Sequence, residues 1–86
     1  MEKGCVVTAL AGKEKGQIFV VINLDDKYAY LSDGKRLKAS KPKRKSFKHV
    51  KMFCAQVLSE AELLDKNERI NAKIRKILSN IRRDYV

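Results

Sequence analysis

Residues 4–22, with the sequence GCVVTALAGKEKGQIFVVI, hold two short apolar runs separated by a polar segment. The runs span residues 5–10 and 18–22, and β-branched and aromatic residues dominate both. Runs of this length and composition are typical of strands and are too short for helices. The segment between them, GKEKG at 12–16, has a glycine at each end. Because glycine accepts positive φ angles, the stretch predicts a β-hairpin with two lysines at its tip.

Three further strands are predicted after this hairpin. Residues 28–31, YAYL, alternate in polarity, and the DG dipeptide at 33–34 is favoured in two-residue type I′ turns. This turn leads into a polar fourth strand at 35–38, whose charges suit a sheet edge. The segment 39–46 contains a proline, which cannot donate a ladder hydrogen bond, so it is predicted to be a connector and not a central strand.

The fifth strand is predicted within residues 47–53, FKHVKMF, and its expected apolar anchors are Val50, Met52 and Phe53. Phe19 and Phe47 are expected in the core. Five short strands joined by tight turns predict a small antiparallel barrel of the SH3-like kind, formed by residues 1–54.

The pattern of the chain changes after the fifth strand. From residue 55 the apolar period shifts from 2 to about 3.6, which predicts helices. Residues 59–62, SEAE, form an S-x-x-E capping box, so a helix is predicted to begin at Glu60. Asn71 is a candidate N-cap for a second helix over 72–83. A polar stretch between them favours two helices, and a single long helix is the alternative.

The second predicted helix carries an apolar stripe at positions i, i+3, i+4 and i+7, namely Ile74, Ile77, Leu78 and Ile81. A stripe of this kind either packs on the helix's own domain or docks a partner helix. We favour the first, so residues 55–86 are predicted to be a helical extension packed on the barrel and not a second domain. The chain is therefore predicted to be mainly β with a C-terminal helical segment.

The composition argues against several classes of protein. The sequence has no run of about 18 apolar residues, and its first apolar segment is too short for a secretory signal, so no membrane partner is expected. Cys5 and Cys54 form no CxxC pair, which favours reduced thiols and a cytoplasmic location. With no nucleophile–base pattern, no Walker-type glycine loop and no metal-ligand cluster, we expect a protein that is not an enzyme, with no cofactor and no metal.

The charge is concentrated in one part of the chain. The 86 residues include 20 Lys and Arg against 10 Asp and Glu, a net charge of +10. Residues 33–51 alone hold nine bases and one acid, whereas residues 1–32 hold four of each. A concentrated basic window favours a polyanionic partner such as a nucleic acid.

The first hairpin resembles the KOW motif, in which an apolar strand, a glycine-centred turn and a second strand follow one another. The matching positions are Gly4, Val6, Val7, Gly12, Lys15, Gly16 and Ile18. The DG dipeptide, the KPKRK run at 41–45 and the KHV triplet at 48–50 match further along. Over about residues 3–53 the chain is thus similar to the small bacterial KOW-domain RNA-binding proteins, which are themselves similar to the archaeal and eukaryotic large-subunit ribosomal protein of the L-fourteen-e type.

This resemblance implies an SH3-like barrel, RNA binding, and association with the ribosome or its assembly. Ribosomal RNA, and ribosomal or assembly proteins, would be the partners. Basic side chains pair with phosphate oxygens and release condensed counterions, and Pro42 stiffens the KPKRK run; the alternative for that run is a solvated basic loop. The predicted RNA-binding residues are Lys13, Lys15, Arg36, Lys38, Lys41, Lys43, Arg44, Lys45, Lys48, His49 and Lys51.

Several residues leave two interpretations open. Tyr28 and Tyr30 lie on one face of the third strand, where they could stack on unpaired bases or sit at the barrel rim with wet hydroxyls; we favour the rim. His49 could contact RNA or pack against the barrel. For the protein as a whole, the alternative is a KOW protein–protein interaction module in the translation or transcription machinery.

Overall fold

The computed structural model of the chain describes residues 1–64 and 68–84. Five antiparallel strands form one sheet in the order β4-β3-β2-β1-β5, followed by a C-terminal helical segment. The strands are β1 (Val6–Ala9), β2 (Ile18–Leu24), β3 (Tyr28–Ser32), β4 (Lys43–Ser46) and β5 (Val50–Cys54). A 3-10 helix (Phe47–His49) joins β4 to β5, and the α-helices are α1 (Glu60–Leu63) and α2 (Arg69–Asp84). The predicted class, mainly β with a C-terminal helix, is confirmed.

Both faces of the sheet are buried along β1 and the first half of β2. Successive strand residues point to opposite faces, and Val6 and Val7 of β1 are each 0% exposed. Val7 belongs to a cluster with Phe19 and Leu31, against which Phe47 packs. Residues of the opposite face form a second cluster with α2, and its members are Val6, Ile18, Val20, Leu58, Ile70, Ile74 and Leu78. The apolar stripe of α2 thus packs on the chain's own sheet, as predicted.

The predicted fourth strand at 35–38 is wrong. A type I′ turn needs positive φ at both central residues, but among the described residues only glycines have positive φ. Asp33 instead accepts hydrogen bonds at its Oδ1 from the backbone N–H groups of Lys35 and Leu37, both at 2.9 Å, which curls the chain into a loop. The fourth strand forms later, at Lys43–Ser46, directly after Pro42 and at the edge of the sheet.

Two of the three apolar anchors predicted for the fifth strand are wrong as well. Val50 is buried, but the side chains of Met52 and Phe53 are 48% and 40% exposed. The pairing of β5 with β1 shifts register between Val6, which pairs with Cys54, and Val7, which pairs with Met52. A bulge of this kind re-aims side chains, and here it turns apolar residues towards the surface.

The helix starts are partly as predicted. The capping box at Ser59 and Glu62 opens α1 at Glu60. Asn71 is not an N-cap, because α2 begins two residues earlier at Arg69. The side-chain Oδ1 of Asn71 instead accepts a hydrogen bond from the backbone N–H of Ala39 at 2.8 Å. This bond connects the loop at 33–42 to α2. Two helices are described; most of the predicted polar break lies at 65–67, outside the described residues. Across the part of the chain that is described, no helix is long and apolar enough to span a membrane.

Gly34 is required by both its conformation and its surroundings. Its φ is +73°, and a Cβ there would lie 2.4 Å from the backbone oxygen of Asn71 in α2. Gly16 shares the conformation, with φ at +86°, but a Cβ there would meet nothing within 4 Å. The two positions therefore separate backbone strain from steric exclusion.

We predict that Gly34→Ala destabilises the protein more than Gly16→Ala does. The conformational cost common to both is about 1 kcal/mol. Gly34→Ala must also displace α2, which adds about 1–3 kcal/mol, as overpacking does elsewhere. The free energies of unfolding from urea titrations measure the difference. Equal losses for the two variants would mean that α2 does not press on the loop at 33–42.

Candidate nucleic-acid interface

The turn between β1 and β2, residues 10–17, is a short, internally bonded loop that we call the tip. Its backbone N–H groups at Lys15 and Gln17 donate to the carbonyl oxygens of Gly12 and Glu14, at 3.2 and 2.9 Å. Lys13 and Lys15 are exposed. The tip thus displays the two predicted lysines on a fixed backbone.

Two lysines of β4, Lys43 and Lys45, contact the tip. Lys45 Nζ donates to the carbonyl oxygen of Ala11 at 3.0 Å and lies 3.5 Å from Glu14 Oε2. Lys43 Nζ donates to the other carboxylate oxygen, Oε1 of Glu14. One carboxylate therefore joins two strand lysines to the tip, and the Lys45 side chain is only 12% exposed.

We call the following five residues the tip cluster: Glu14, its sequence neighbours Lys13 and Lys15, and its ion-pair partners Lys43 and Lys45. Four ammonium groups against one carboxylate leave a net charge of +3 in it. The Lys43 side chain is 43% exposed even while paired, and Lys13 and Lys15 are exposed. A cluster of this charge attracts phosphate groups.

Glu14 is strongly affected by its lysine neighbours. The hydrogen bond from Lys43 is the largest effect and, with the positive charges of Lys43 and Lys45, it lowers the pKa of Glu14 to about 2 from the ordinary 4.5. Partial desolvation opposes this shift but is outweighed. The carboxylate therefore stays ionised at the near-neutral pH values at which RNA binding is measured.

The predicted residues at the start of β5 come close to the same loop. The backbone N–H of Leu10 donates to the carbonyl oxygen of His49 at 2.8 Å, and Lys51 pairs with Thr8 in the β1–β5 ladder. Lys48, His49 and Lys51 are exposed. His49 and Lys51 lie next to β1, whereas Lys48 lines a separate cavity with Lys27 and Tyr28.

Other predicted site residues do not join the tip cluster. Arg44 alternates to the opposite face of β4, where its guanidinium lies 4.5 Å from the centre of the Tyr28 ring. Lys38 forms an ion pair with Glu68 at 3.0 Å. Arg36 and Lys41 are exposed in the loop at 33–42, which α2 holds in place. The structure thus divides the basic window into separate groups.

Sequence reasoning missed the part played by Glu14. It stands between Lys13 and Lys15, so its charge was visible, but its pairing with Lys43 spans 29 positions of the chain. It also missed Arg75, whose Nη1 donates to the carbonyl oxygen of Gly34 at 2.6 Å. Neither contact has a local signal, because both depend on how distant segments fold together.

The described residues offer no metal site and no disulfide. Over residues 1–64 and 68–84, no three His, Cys, Asp or Glu side chains gather in a way that could hold a metal ion. Cys5 is buried and Cys54 half-buried, and both are free thiols. No protein-family model matches the chain, and no curated protein matches it significantly.

We predict that Glu14 contributes stability that is lost in acid. Because its folded pKa of about 2 lies below the unfolded value, the contribution is complete above about pH 5 and disappears as the pH falls from there to 2. Glu14→Gln should therefore be less stable than the wild type at neutral pH, with the difference shrinking towards pH 2. Urea titrations at several pH values measure this. The control is Glu2→Gln, an exposed glutamate, and a Glu14→Gln difference that does not change with pH would contradict the ion pairs.

Proposed function

We propose that this protein is a non-enzymatic RNA-binding protein that acts on ribosomal RNA, on the ribosome or during its assembly. The observation that carries the proposal is the tip cluster, in which Lys43 and Lys45 of β4 are brought against a tip that displays Lys13 and Lys15. Ribosomal RNA is chosen as the partner on the resemblance to KOW proteins. The exposed residues His49 and Lys51 lie beside β1, close to the tip.

We further infer that the sheet closes into an SH3-like barrel. The strands β4 and β5 are at opposite edges of the sheet, four strand spacings or roughly 19 Å apart if it were flat. The three-residue 3-10 helix between them covers only about 8 Å. The bonds from Lys45 to Ala11 and from Leu10 to His49 bring both edge regions to the tip, which supports closure.

The proposed binding mode reads shape and charge. Ammonium groups are point charges that contact phosphates without identifying bases. The tip cluster offers no Asn side chain for base edges, and Gln17 is the amide next to it in sequence. Binding through this cluster should therefore depend strongly on salt and weakly on RNA sequence.

The test removes the two tip lysines, which are exposed. We expect the double variant Lys13→Ala/Lys15→Ala to bind a ribosomal RNA fragment more weakly. The negative slope of log affinity against log salt should become shallower by about 1.5. Its melting temperature should be unchanged. Fluorescence anisotropy over a salt series measures the slope.

The matched control is the double variant Lys76→Ala/Arg82→Ala, which removes the same charge from the exposed face of α2. It should lose less affinity than the tip variant. If the two variants lose affinity equally, the protein responds to net charge alone, and the tip cluster is not the interface.

A second candidate function is a protein-interaction module. The observation that favours it is the exposure of Met52 and Phe53 on β5, since apolar side chains at a surface are typical of protein contacts. The two functions respond differently to salt. RNA binding weakens steeply as the salt concentration rises, whereas apolar docking does not.

A further inference from the structure

An aromatic group outside the tip cluster lies on one face of β3 and β4. This face is opposite the core cluster that contains Phe19 and Leu31. Tyr28 and Tyr30 alternate to this face, and Arg44 lies over the Tyr28 ring. Both tyrosines are half-buried. Aromatic rings and guanidinium planes are the surfaces on which nucleic-acid bases stack.

This aromatic group is held in place by Asp25. Its Oδ1 accepts hydrogen bonds from the backbone N–H groups of Lys27 and Tyr28, at 2.9 and 2.8 Å. Its Oδ2 accepts one from the Tyr30 hydroxyl at 3.0 Å. These bonds lower the pKa of Asp25 and raise that of Tyr30, so the carboxylate remains ionised and the hydroxyl remains a donor. The Tyr28 backbone is therefore fixed before any ligand arrives.

Beside the Tyr28 ring there is a cavity of about 430 Å³. Its lining consists of Asp26, Lys27, Tyr28, Ser46, Phe47 and Lys48. Arg44 is not among these lining residues, and Tyr28 contacts both its guanidinium and the cavity. The cavity combines aromatic surface with two ammonium groups, and its volume lies in the range of small-molecule sites.

We propose that this cavity binds an unpaired nucleotide, with the base against Tyr28 and its phosphate at Lys27 and Lys48. The proposal rests on the RNA-binding function and adds to it a preference for unpaired bases. A base within a duplex is stacked between its neighbours and cannot enter, whereas a loop or bulge base can. Asp26 would repel a phosphate, but its carboxylate accepts a hydrogen bond from an exocyclic amino group of a base.

The test compares two RNAs with equal numbers of phosphates, one a hairpin with an unpaired loop and the other a blunt duplex. Affinities are measured by fluorescence anisotropy at one salt concentration. Tyr28→Leu should weaken hairpin binding at least about fivefold and change duplex binding less than about twofold. Tyr28→Phe keeps the ring and should match the wild type for both RNAs.

The outcomes separate this site from the proposed function. If the wild type binds neither RNA, the RNA-binding function fails and the nucleotide site fails with it. If the wild type binds RNA but Tyr28→Leu weakens both RNAs equally, or neither, the nucleotide site is overturned and the RNA-binding function remains. Thermal melting shows whether Tyr28→Leu folds.

A second variant gives a reading that does not depend on removing the ring. The chain has no tryptophan, so Tyr28→Trp introduces a single indole reporter. A base stacked on the indole quenches its fluorescence, so saturating hairpin RNA should quench it more than saturating duplex does. Equal quenching by the two RNAs would overturn the site.

Discussion

The fold depends on the burial of both faces of its first two strands. Val6 and Val7 are neighbours that point in opposite directions, and neither is exposed. Fully burying an apolar side chain of this size contributes roughly 1.5–3 kcal/mol, so neither face can be left to water without a large loss. One face is covered by α2, and the other gathers side chains from four strands and Phe47 around Phe19.

The tip cluster shows how a basic surface can be ordered by one acid. Four lysines with no counter-charge would repel one another and sample many rotamers. Glu14 accepts from Lys43, and it lies near Lys45, whose ammonium group also donates to the carbonyl oxygen of Ala11. These contacts reduce the positive charge by one and restrict two flexible side chains. For an anionic ligand, part of the ordering cost has then already been met on folding.

Local signals in the sequence predicted much of the fold and less of the site. Three strands and the capping box at Ser59 depend on neighbours in the chain, and the structure has them where expected. The fourth strand was misplaced because Gly34 does not form a hairpin turn. A glycine is needed there because α2 comes too close for a Cβ. The basic window was visible as composition. Its division, with Lys43 paired to Glu14 and Lys38 to Glu68, depends on contacts between distant segments that spacing does not report.

The attachment of the loop at 33–42 to α2 has a consequence for how the protein is made. Asn71 and Arg75 hold this loop through Ala39 and Gly34, and Ile74 covers the sheet. During synthesis every strand leaves the ribosomal tunnel before α2 does. Until α2 has been made, the apolar face of the sheet that α2 covers is exposed to water, and such transiently exposed surface is prone to aggregation.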